Sequence, residues 1–381
     1  MKYLVVLGDG MADEPGPGKK TPLEIADTPW MDKIARDGAM GMVRTIPEGC
    51  EAGSDIANLG ILGYDPRRYY TGRGPLEAAS RGISLAPSDI AYRCNLVTVN
   101  AGIMADFSAG HISSSEGEQL IESLEGSLPG IRFYPGISYR NLLVVHDGSG
   151  AVTFPPHDIV GREIAPYLPE GSDAAILRAG MEKSRAVFAD HPVNRARVAG
   201  GKIPASQVWP WSGGKYPSLP CFSDMYGLAG GVISAVDLLA GIARCAGMEV
   251  ITVPGATGYL DTDYQAKARY AVRALERLDF LYLHVEAPDE AGHLGDADEK
   301  VAAIEGVDGM IGTIMQEFSG TIAVLPDHPT PLRLKTHTAD PVPFAILGKG
   351  KDGTRSFSER EGMKGKYGTI EATEFLPLLF S

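Results

Sequence analysis

Short apolar runs alternate along much of the chain with longer segments in which apolar residues recur at helical spacing. The short runs are typical of buried strands and cover residues 3–7, 250–253, 280–285, 321–325 and 344–347. The helical pattern covers the segment between Thr28 and Gly38 and residues 232–246, 263–277 and 301–318. Strands that alternate with helices predict an α/β fold whose mostly parallel sheet is flanked by helices.

The pattern changes in the middle of the chain, from about residue 80 to residue 218. Short β-like runs at residues 92–99 and 141–145 are mixed there with turn-rich stretches and a helical pattern over residues 114–124. The basic, glycine-rich segment 67–75 before it is predicted to be an exposed connection. We therefore predict one α/β domain formed by residues 1–79 and 225–381, with residues 80–224 inserted as a smaller α/β or α+β domain.

Ser54 stands between Gly53 and an apolar run with helical spacing, which predicts a loop that delivers the serine to the first turn of a helix. Free backbone N–H groups and the positive end of the helix dipole would face its hydroxyl. In isolation such a serine is most often a helix cap. With metal ligands nearby it becomes a candidate nucleophile whose phosphorylated form would lie at the helix end.

Potential metal ligands follow several of the predicted strands. Asp9 comes after the first strand, and Asp289 and His293 are four residues apart, on one face of a helical turn. The remaining ligands are Asp327 and His328, in a loop with prolines on both sides, and His337 beyond them. Because ligands gather at the carboxyl edge of an open parallel sheet, we expect these side chains to converge there.

With Ser54 these side chains form seven candidate ligands, enough for two divalent metal ions that each keep an open position. Mixed carboxylate and imidazole ligation suits Mn²⁺ or Zn²⁺ best, with Co²⁺ and Mg²⁺ as further candidates. Paired metals recur in phosphoryl chemistry, where they activate a nucleophile and neutralise charge. No phosphate-binding loop of the G-x-x-x-x-G-K-[ST] type occurs, so no nucleotide cofactor is expected.

Composition narrows the range of partners. The 35 basic and 48 acidic residues give a net charge of −13, which argues against nucleic acid as a partner. We expect neither a signal peptide nor a membrane-spanning segment, and the four cysteines form no C-x-x-C pair. A cytoplasmic protein that binds a small molecule is the expectation, and its oligomeric state stays open.

At this point the motifs resemble those of the alkaline phosphatase superfamily and, within it, the cofactor-independent phosphoglycerate mutases of archaeal type. The resemblance rests on the segments GDG at residues 8–10, AGSDIANLGILGYDP around Ser54, the Asp289 and His293 pair, PDH at residues 326–328 and HTADPVPF from His337. It extends over nearly the whole chain, including NRARVAGGKIP in the predicted insert. It implies an alkaline-phosphatase-like α/β fold and two divalent metals.

The resemblance also implies a role for each residue. Ser54 would take the phosphoryl group of 3-phosphoglycerate and return it to the other hydroxyl of glycerate, without 2,3-bisphosphoglycerate. One metal would be held by Asp9, Ser54, Asp327 and His328, and the other by Asp289, His293 and His337. The insert would close over the site and exclude water. Its expected substrate-binding residues are Arg140, Arg195, Arg197 and Lys215, with His111 for proton transfer.

Three alternatives remain open from the sequence. A homoserine-kinase-like phosphotransferase would use the same serine and metals with another acceptor. A metal-dependent phosphatase needs only that water reach the phosphoserine. A non-catalytic protein that retains the fold would be expected to lack some of the seven ligands, and all seven are present.

Overall fold

The computed structural model describes all 381 residues. It contains thirteen strands: β1 (Tyr3–Gly8), β2 (Ala39–Arg44), β3 (Ile90–Asn100), β4 (Ile103–Asp106), β5 (Ile131–Ile137), β6 (Arg140–Val145), β7 (Gln207–Gly214), β8 (Gly230–Ile233), β9 (Glu249–Ile251), β10 (Phe280–Val285), β11 (Thr321–Leu325), β12 (Val342–Leu347) and β13 (Thr369–Glu371).

The α-helices are α1 (Pro22–Ile25), α2 (Pro29–Asp37), α3 (Ser54–Ile61), α4 (Pro66–Tyr69), α5 (Arg73–Ser80), α6 (Ser114–Glu122), α7 (Ala174–Ala189), α8 (Pro192–Ala199), α9 (Phe222–Tyr226), α10 (Asp237–Cys245), α11 (Tyr264–Arg277), α12 (Ala287–Leu294), α13 (Ala297–Glu317), α14 (Glu359–Gly362) and α15 (Ala372–Phe380). Two short 3-10 helices span Pro156–Ile159 and Ala165–Tyr167. No helix has both the length and the apolar character that a membrane crossing requires.

The chain forms two compact units, of which the first comprises residues 1–70 and 218–381. Its eight-stranded sheet has the order β13-β2-β12-β11-β1-β10-β8-β9. All neighbouring strands run parallel except at β12, which is antiparallel to both β2 and β11. The predicted α/β fold with a mostly parallel sheet is therefore confirmed.

Burial of the central strands explains their continuous apolar sequences. All six residues of β1 and of β10 are buried, so both faces of the sheet are covered. Leu4 and Val6 of β1 pack in one core with residues of α2, α11 and α13. This packing holds the carboxyl ends of β10, β1 and β11 side by side, because β1 pairs in parallel with both neighbours.

The second unit, residues 71–217, is built on a separate antiparallel sheet. Strands β4, β3, β6 and β5 lie in that order, and β7 also pairs with β3. Its core joins the strands to α6 and α7 through residues such as Leu96, Leu120, Leu143 and Leu177. An antiparallel sheet covered by helices is an α+β arrangement.

The units divide at Tyr70/Thr71 and at Pro217/Ser218, whereas the sequence placed the divisions after residues 79 and 224. The first difference arises because part of segment 67–75 is helical rather than an exposed connection. Helix α5 begins at Arg73 and buries Gly74, Pro75 and Leu76. Gly74 fits close against Ala91 of β3, where a side chain on residue 74 would collide with the strand backbone.

The prediction of a helix over residues 232–246 was wrong in its first part. Residues Gly230–Ile233 form strand β8, and α10 begins only at Asp237. The two apolar residues Val232 and Ile233 run directly into the apolar pattern of α10, so periodicity alone does not separate strand from helix. The predicted end is confirmed, because Gly247 adopts a left-handed φ of 67° just beyond the helix.

Candidate active site

Three adjacent parallel strands of the first unit bring the predicted ligands to one edge of the sheet. Asp9 follows β1 directly, and its N–H donates to the carbonyl of Val285 at the end of β10. Asp327 and His328 follow β11 after Pro326. Helix α12 starts after β10 and carries Asp289 and His293 on one face, as their spacing predicted. Two clusters of the predicted carboxylate and imidazole groups result, and a third group of potential ligands joins Asp9 to His284 and Glu286.

The first cluster consists of Asp9, Asp327 and His328, all of them fully buried. The Nε2 atom of His328 lies 3.4 Å from Oδ1 of Asp9 and 3.6 Å from Oδ2 of Asp327. The other oxygen of Asp327 accepts hydrogen bonds from the backbone N–H groups of Gly10 and His328, at 3.2 and 2.9 Å. Backbone donors therefore fix the Asp327 carboxylate, and its Oδ2 faces the cluster.

Ser54 lies beside the first cluster. It is the first residue of α3, and Gly53 before it has an extended backbone. The Oγ atom of Ser54 is 3.1 Å from Nε2 of His328. The serine thus combines the two features expected of a metal-activated nucleophile, a helix N-terminus and contact with a potential metal ligand.

The second cluster consists of Asp289, His293 and His337. The two Nε2 atoms of His293 and His337 are 2.9 Å apart, and that of His293 is also 3.1 Å from Oδ2 of Asp289. The Nδ1 atom of His293 is 3.0 Å from the carbonyl of Lys335, so it must carry a proton and donate. This leaves Nε2 available as a ligand, an orientation that metal-binding histidines commonly have.

Thr330 connects the two clusters. Its hydroxyl donates to Oδ1 of Asp289, and its oxygen lies 3.3 Å from Nδ1 of His328. The rings of His328 and His337 also face each other, with centroids 4.0 Å apart. The clusters are therefore neighbours within one site. Thr330 carries no signal in the sequence, because a threonine between two prolines resembles an ordinary loop residue.

Crowded acidic groups shift the pKa values of the site. Burial raises the pKa of Asp9 well above its ordinary value, and the nearby carboxylate of Asp327 raises it further. Burial alone would raise the pKa of Asp289 as well, but hydrogen bonds from His293 and His337 hold it well below its ordinary value. The hydrogen bond to Asp289 raises the pKa of His293 to about 9. Positive charge stabilises this group of carboxylates.

Two further residues at the site were missed by sequence reasoning, His284 and Glu286. Burial lowers the pKa of His284 to about 3, so the ring is neutral. Its Nε2 lies 2.9 Å from Oδ2 of Asp9, while its Nδ1 is 3.3 Å from the Ser234 hydroxyl. Burial raises the pKa of Glu286 to about 8. A single histidine inside the apolar strand FLYLHV gives no sequence signal beyond that of a core residue.

The donor set fits divalent cations. The Oδ1 atom of Asp9 is buried without a hydrogen-bond partner. The Nε2 atoms of His293 and His337 point at each other at 2.9 Å, an arrangement that requires a proton or a cation between or beside them. Carboxylate oxygens and imidazole nitrogens together suit Mn²⁺ or Zn²⁺. Asp9, Asp327 and His328 could hold one ion, and Asp289, His293 and His337 another.

In the second unit, His111 lies on a strained backbone turn. Ala109, Gly110 and His111 have successive positive φ angles of 51°, 63° and 47°. Such a left-handed turn is unfavourable for residues other than glycine, and strain of this kind concentrates at functional sites. The Ser108 hydroxyl oxygen accepts a hydrogen bond from the His111 N–H and holds the turn. The imidazole is exposed beside Phe107 and Tyr139.

Arg197 has a structural role in this unit, which differs from the substrate contact expected from the sequence. Its side chain is only 2% exposed. The guanidinium donates to the carbonyls of Ala109 and Ile203, at 2.7 and 2.9 Å, and to the Glu116 carboxylate at 2.8 Å. The donors of Arg197 are thus engaged in holding the turn of His111. In contrast, Arg140, Arg195 and Lys215 are exposed.

The fold and the two clusters define the class, an α/β protein whose carboxylate and imidazole groups are arranged to hold divalent cations beside a serine hydroxyl. Residues 35–194 match the family model described as 2,3-bisphosphoglycerate-independent phosphoglycerate mutase. A protein of that name from Methanothrix thermoacetophila is 53% identical over 391 aligned positions, which cover 100% of both chains. The chain therefore belongs to the family of 2,3-bisphosphoglycerate-independent phosphoglycerate mutases, which are isomerases, as the motifs predicted.

Solved structures agree with this assignment. A Pyrococcus horikoshii protein matches with a TM-score of 0.86 and 32% identity, over 99% of this chain and 96% of that one. The cofactor-independent phosphoglycerate mutase from Thermoplasma acidophilum matches with a TM-score of 0.69 and 26% identity, over 99% and 98% of the two chains. The family thus covers both units of the chain.

Proposed function

We propose that this protein interconverts 3-phosphoglycerate and 2-phosphoglycerate through a phosphoserine on Ser54, without 2,3-bisphosphoglycerate. The observation that carries the proposal is the position of the Ser54 hydroxyl, at the N-terminus of α3 and 3.1 Å from His328 in a cluster of potential metal ligands. The relatives' names favour phosphoglycerate over homoserine as substrate.

In the first half-reaction, the Ser54 hydroxyl loses its proton as its oxygen forms a bond to phosphorus. The bond between phosphorus and the 3-oxygen of glycerate breaks, and that oxygen takes up a proton. In the second half-reaction, the 2-hydroxyl of glycerate loses its proton as its oxygen forms a bond to phosphorus. The bond between phosphorus and the Ser54 oxygen breaks, and that oxygen regains a proton. Divalent ions, when bound, would lower the pKa of the serine hydroxyl and neutralise charge on the phosphoryl group.

The remaining residues of the site receive distinct roles in this proposal. The positive end of the α3 helix dipole stabilises the phosphoserine, because it favours an anion at the first turn. Arg140, Arg195 and Lys215 bind the carboxylate and phosphate of the substrate. His111 gives a proton to the 3-oxygen and accepts one from the 2-hydroxyl. Asp9, Asp327 and His328 hold one cation, and Asp289, His293 and His337 the other.

A phosphorus NMR time course tests the proposal. Pure enzyme is incubated with Mn²⁺ and 3-phosphoglycerate, without nucleotide or 2,3-bisphosphoglycerate. We expect 2-phosphoglycerate to appear, to vanish with Ser54→Ala and to persist with Ser223→Ala, which changes an exposed serine of the same unit. Inorganic phosphate as the sole product would identify a phosphatase instead. An unchanged spectrum would contradict the mutase and direct the assay to homoserine with ATP.

A further inference from the structure

Behind the candidate nucleophile, a chain of buried polar groups connects three elements of the first unit. Asn58 lies one helical turn after Ser54 on α3 and is fully buried. Its side-chain nitrogen is 2.8 Å from the carbonyl oxygen of Ser54 and 2.9 Å from Oδ2 of Asp327. Its side-chain oxygen is 2.5 Å from the hydroxyl of Tyr282, a fully buried residue of β10.

The direction of each hydrogen bond in this chain is fixed by its ends. A carboxylate and a carbonyl oxygen can only accept, so the atom of Asn58 that faces Asp327 and Ser54 must be the NH₂ group. The opposite end of the carboxamide is then an oxygen, which can only accept, so the Tyr282 hydroxyl must donate to it. The observed arrangement satisfies every group, whereas a rotated carboxamide would place its oxygen against the acceptor oxygens of Asp327 and Ser54.

We propose that Tyr282 and Asn58 are positioning residues, which fix the Asp327 carboxylate relative to the first turn of α3 and thereby align the metal ligand with Ser54. The Tyr282 hydroxyl is bonded to Asn58 and acts through the orientation of its carboxamide. The inference deepens the proposed function and rests on it for the role of Ser54. Its geometric part, the alignment of Asp327, does not depend on the reaction.

The expected consequence of removing the Tyr282 hydroxyl follows from this arrangement. Phenylalanine fills the same space, so the strand remains packed, but the side-chain oxygen of Asn58 loses its buried donor. The carboxamide is then no longer held with its NH₂ group toward Asp327. Outer groups that orient metal ligands typically change metal affinity about 10- to 100-fold when they are removed. We expect the affinity for Mn²⁺ to fall about tenfold in Tyr282→Phe.

Calorimetric titration of the metal-free full-length protein with Mn²⁺ tests the proposal. The matched control is Tyr92→Phe, which removes another fully buried tyrosine hydroxyl whose partner, Asp173, lies in the second unit. We expect both variants to lose some thermal stability and only Tyr282→Phe to lose Mn²⁺ affinity. In turnover assays, Tyr282→Phe should lower kcat while leaving KM nearly unchanged, because the nucleophile rather than the substrate is displaced.

A double variant separates positioning from a general loss of stability. If Tyr282 acts through Asn58, then Tyr282→Phe should not reduce Mn²⁺ affinity further in an Asn58→Ala background. Additive losses in the double variant, or an unchanged affinity in Tyr282→Phe, would overturn the proposal. Failure of the proposed function gives a different result, because retained turnover in Ser54→Ala would remove the role of Ser54 without altering the comparison of Mn²⁺ affinities.

Discussion

At the scale of single residues, Gly10 shows how little space separates the backbone from the candidate metal ligands. It has a φ of 59°, and a Cβ atom there would lie 2.6 Å both from Oδ1 of Asp289 and from the Thr330 hydroxyl oxygen. Its N–H also donates to Asp327. Gly10 therefore contacts residues of both clusters, which explains why this loop carries glycine.

We predict that Gly10→Ala weakens Mn²⁺ binding about tenfold or more, because the methyl group displaces Asp289 and Thr330. The control is Gly18→Ala, where φ is 70° and no atom lies within 4 Å of the added Cβ. Both changes add the strain of a left-handed alanine, about 1 kcal/mol. Only the methyl group at residue 10 contacts a residue of the clusters. Calorimetric titration with Mn²⁺ compares them, and equal affinities would contradict the role of Gly10.

The sequence points to the candidate ligands more readily than to the residues that contact them. Asp9, Asp327 and His328 were predictable because polar residues that follow apolar strands lie at the edge of the sheet where ligands bind. His284 and Tyr282 lie inside β10, where a polar side chain in an apolar run is indistinguishable from an ordinary core residue. Their contacts with Asp9 and Asn58 join residues 275 and 224 positions apart, and only the fold brings these together.

At the scale of elements, α2 depends on a residue of α13 for its N-terminal cap. Thr28 occupies the N-cap position of α2, but its side chain makes no capping hydrogen bond. Instead, Asp308 accepts hydrogen bonds from the N–H groups of Met31 and Trp30, at 2.7 and 3.0 Å. Burial raises the pKa of Asp308 to about 6, against the lowering effect of these two bonds.

This raised pKa predicts a pH dependence of stability. Because the folded protein holds the Asp308 proton more tightly than the unfolded chain does, the free energy of unfolding should fall as the pH rises from 3.8 to about 6. We expect Asp308→Asn to remove this loss, about 1 to 2 kcal/mol over that range. Urea denaturation across the range measures it.

Asp37→Asn serves as the matched control for this measurement. Its exposed carboxyl is bonded to Lys33 and Lys351, which lower the pKa of Asp37 to about 2. The carboxyl is therefore ionised in the folded protein throughout the pH range tested for Asp308. Because it is also ionised in the unfolded chain near pH 6, the free energy of unfolding of Asp37→Asn should there run nearly parallel to that of the parent protein. If the free energy of unfolding of Asp308→Asn also ran parallel to that of the parent protein as the pH rises, this would contradict the raised pKa of Asp308.

At the scale of the whole molecule, every candidate metal ligand belongs to the first unit. The candidate ligands lie within residues 9 to 54 and 284 to 337, which flank the second unit in sequence. The two-part organisation was predictable because the α/β pattern stops and then returns. The boundaries were not, because α5 begins inside the glycine-rich, basic segment 67–75, which resembles a loop until the packing of α5 on β3 is known.

We predict that metal binding stabilises the first unit selectively. Mn²⁺ at a hundred times its dissociation constant adds about 2.7 kcal/mol to the stability of the state that binds it. Hydrogen exchange followed by mass spectrometry should therefore show added protection in residues 1–70 and 218–381. His293→Ala, which removes one ligand of the second cluster, should reduce the effect. Protection confined to residues 71–217 would contradict the metal assignment.

The most direct test of the central claim is to isolate the enzyme during turnover and look for phosphate on Ser54. Enzyme with Mn²⁺ is mixed with 3-phosphoglycerate, quenched in acid within the first turnovers and digested for mass spectrometry. We predict phosphate on the peptide that contains Ser54, and neither phosphopeptide nor 2-phosphoglycerate with Ser54→Ala. Normal turnover without any phosphoserine, or with phosphate on a different residue, would contradict the account.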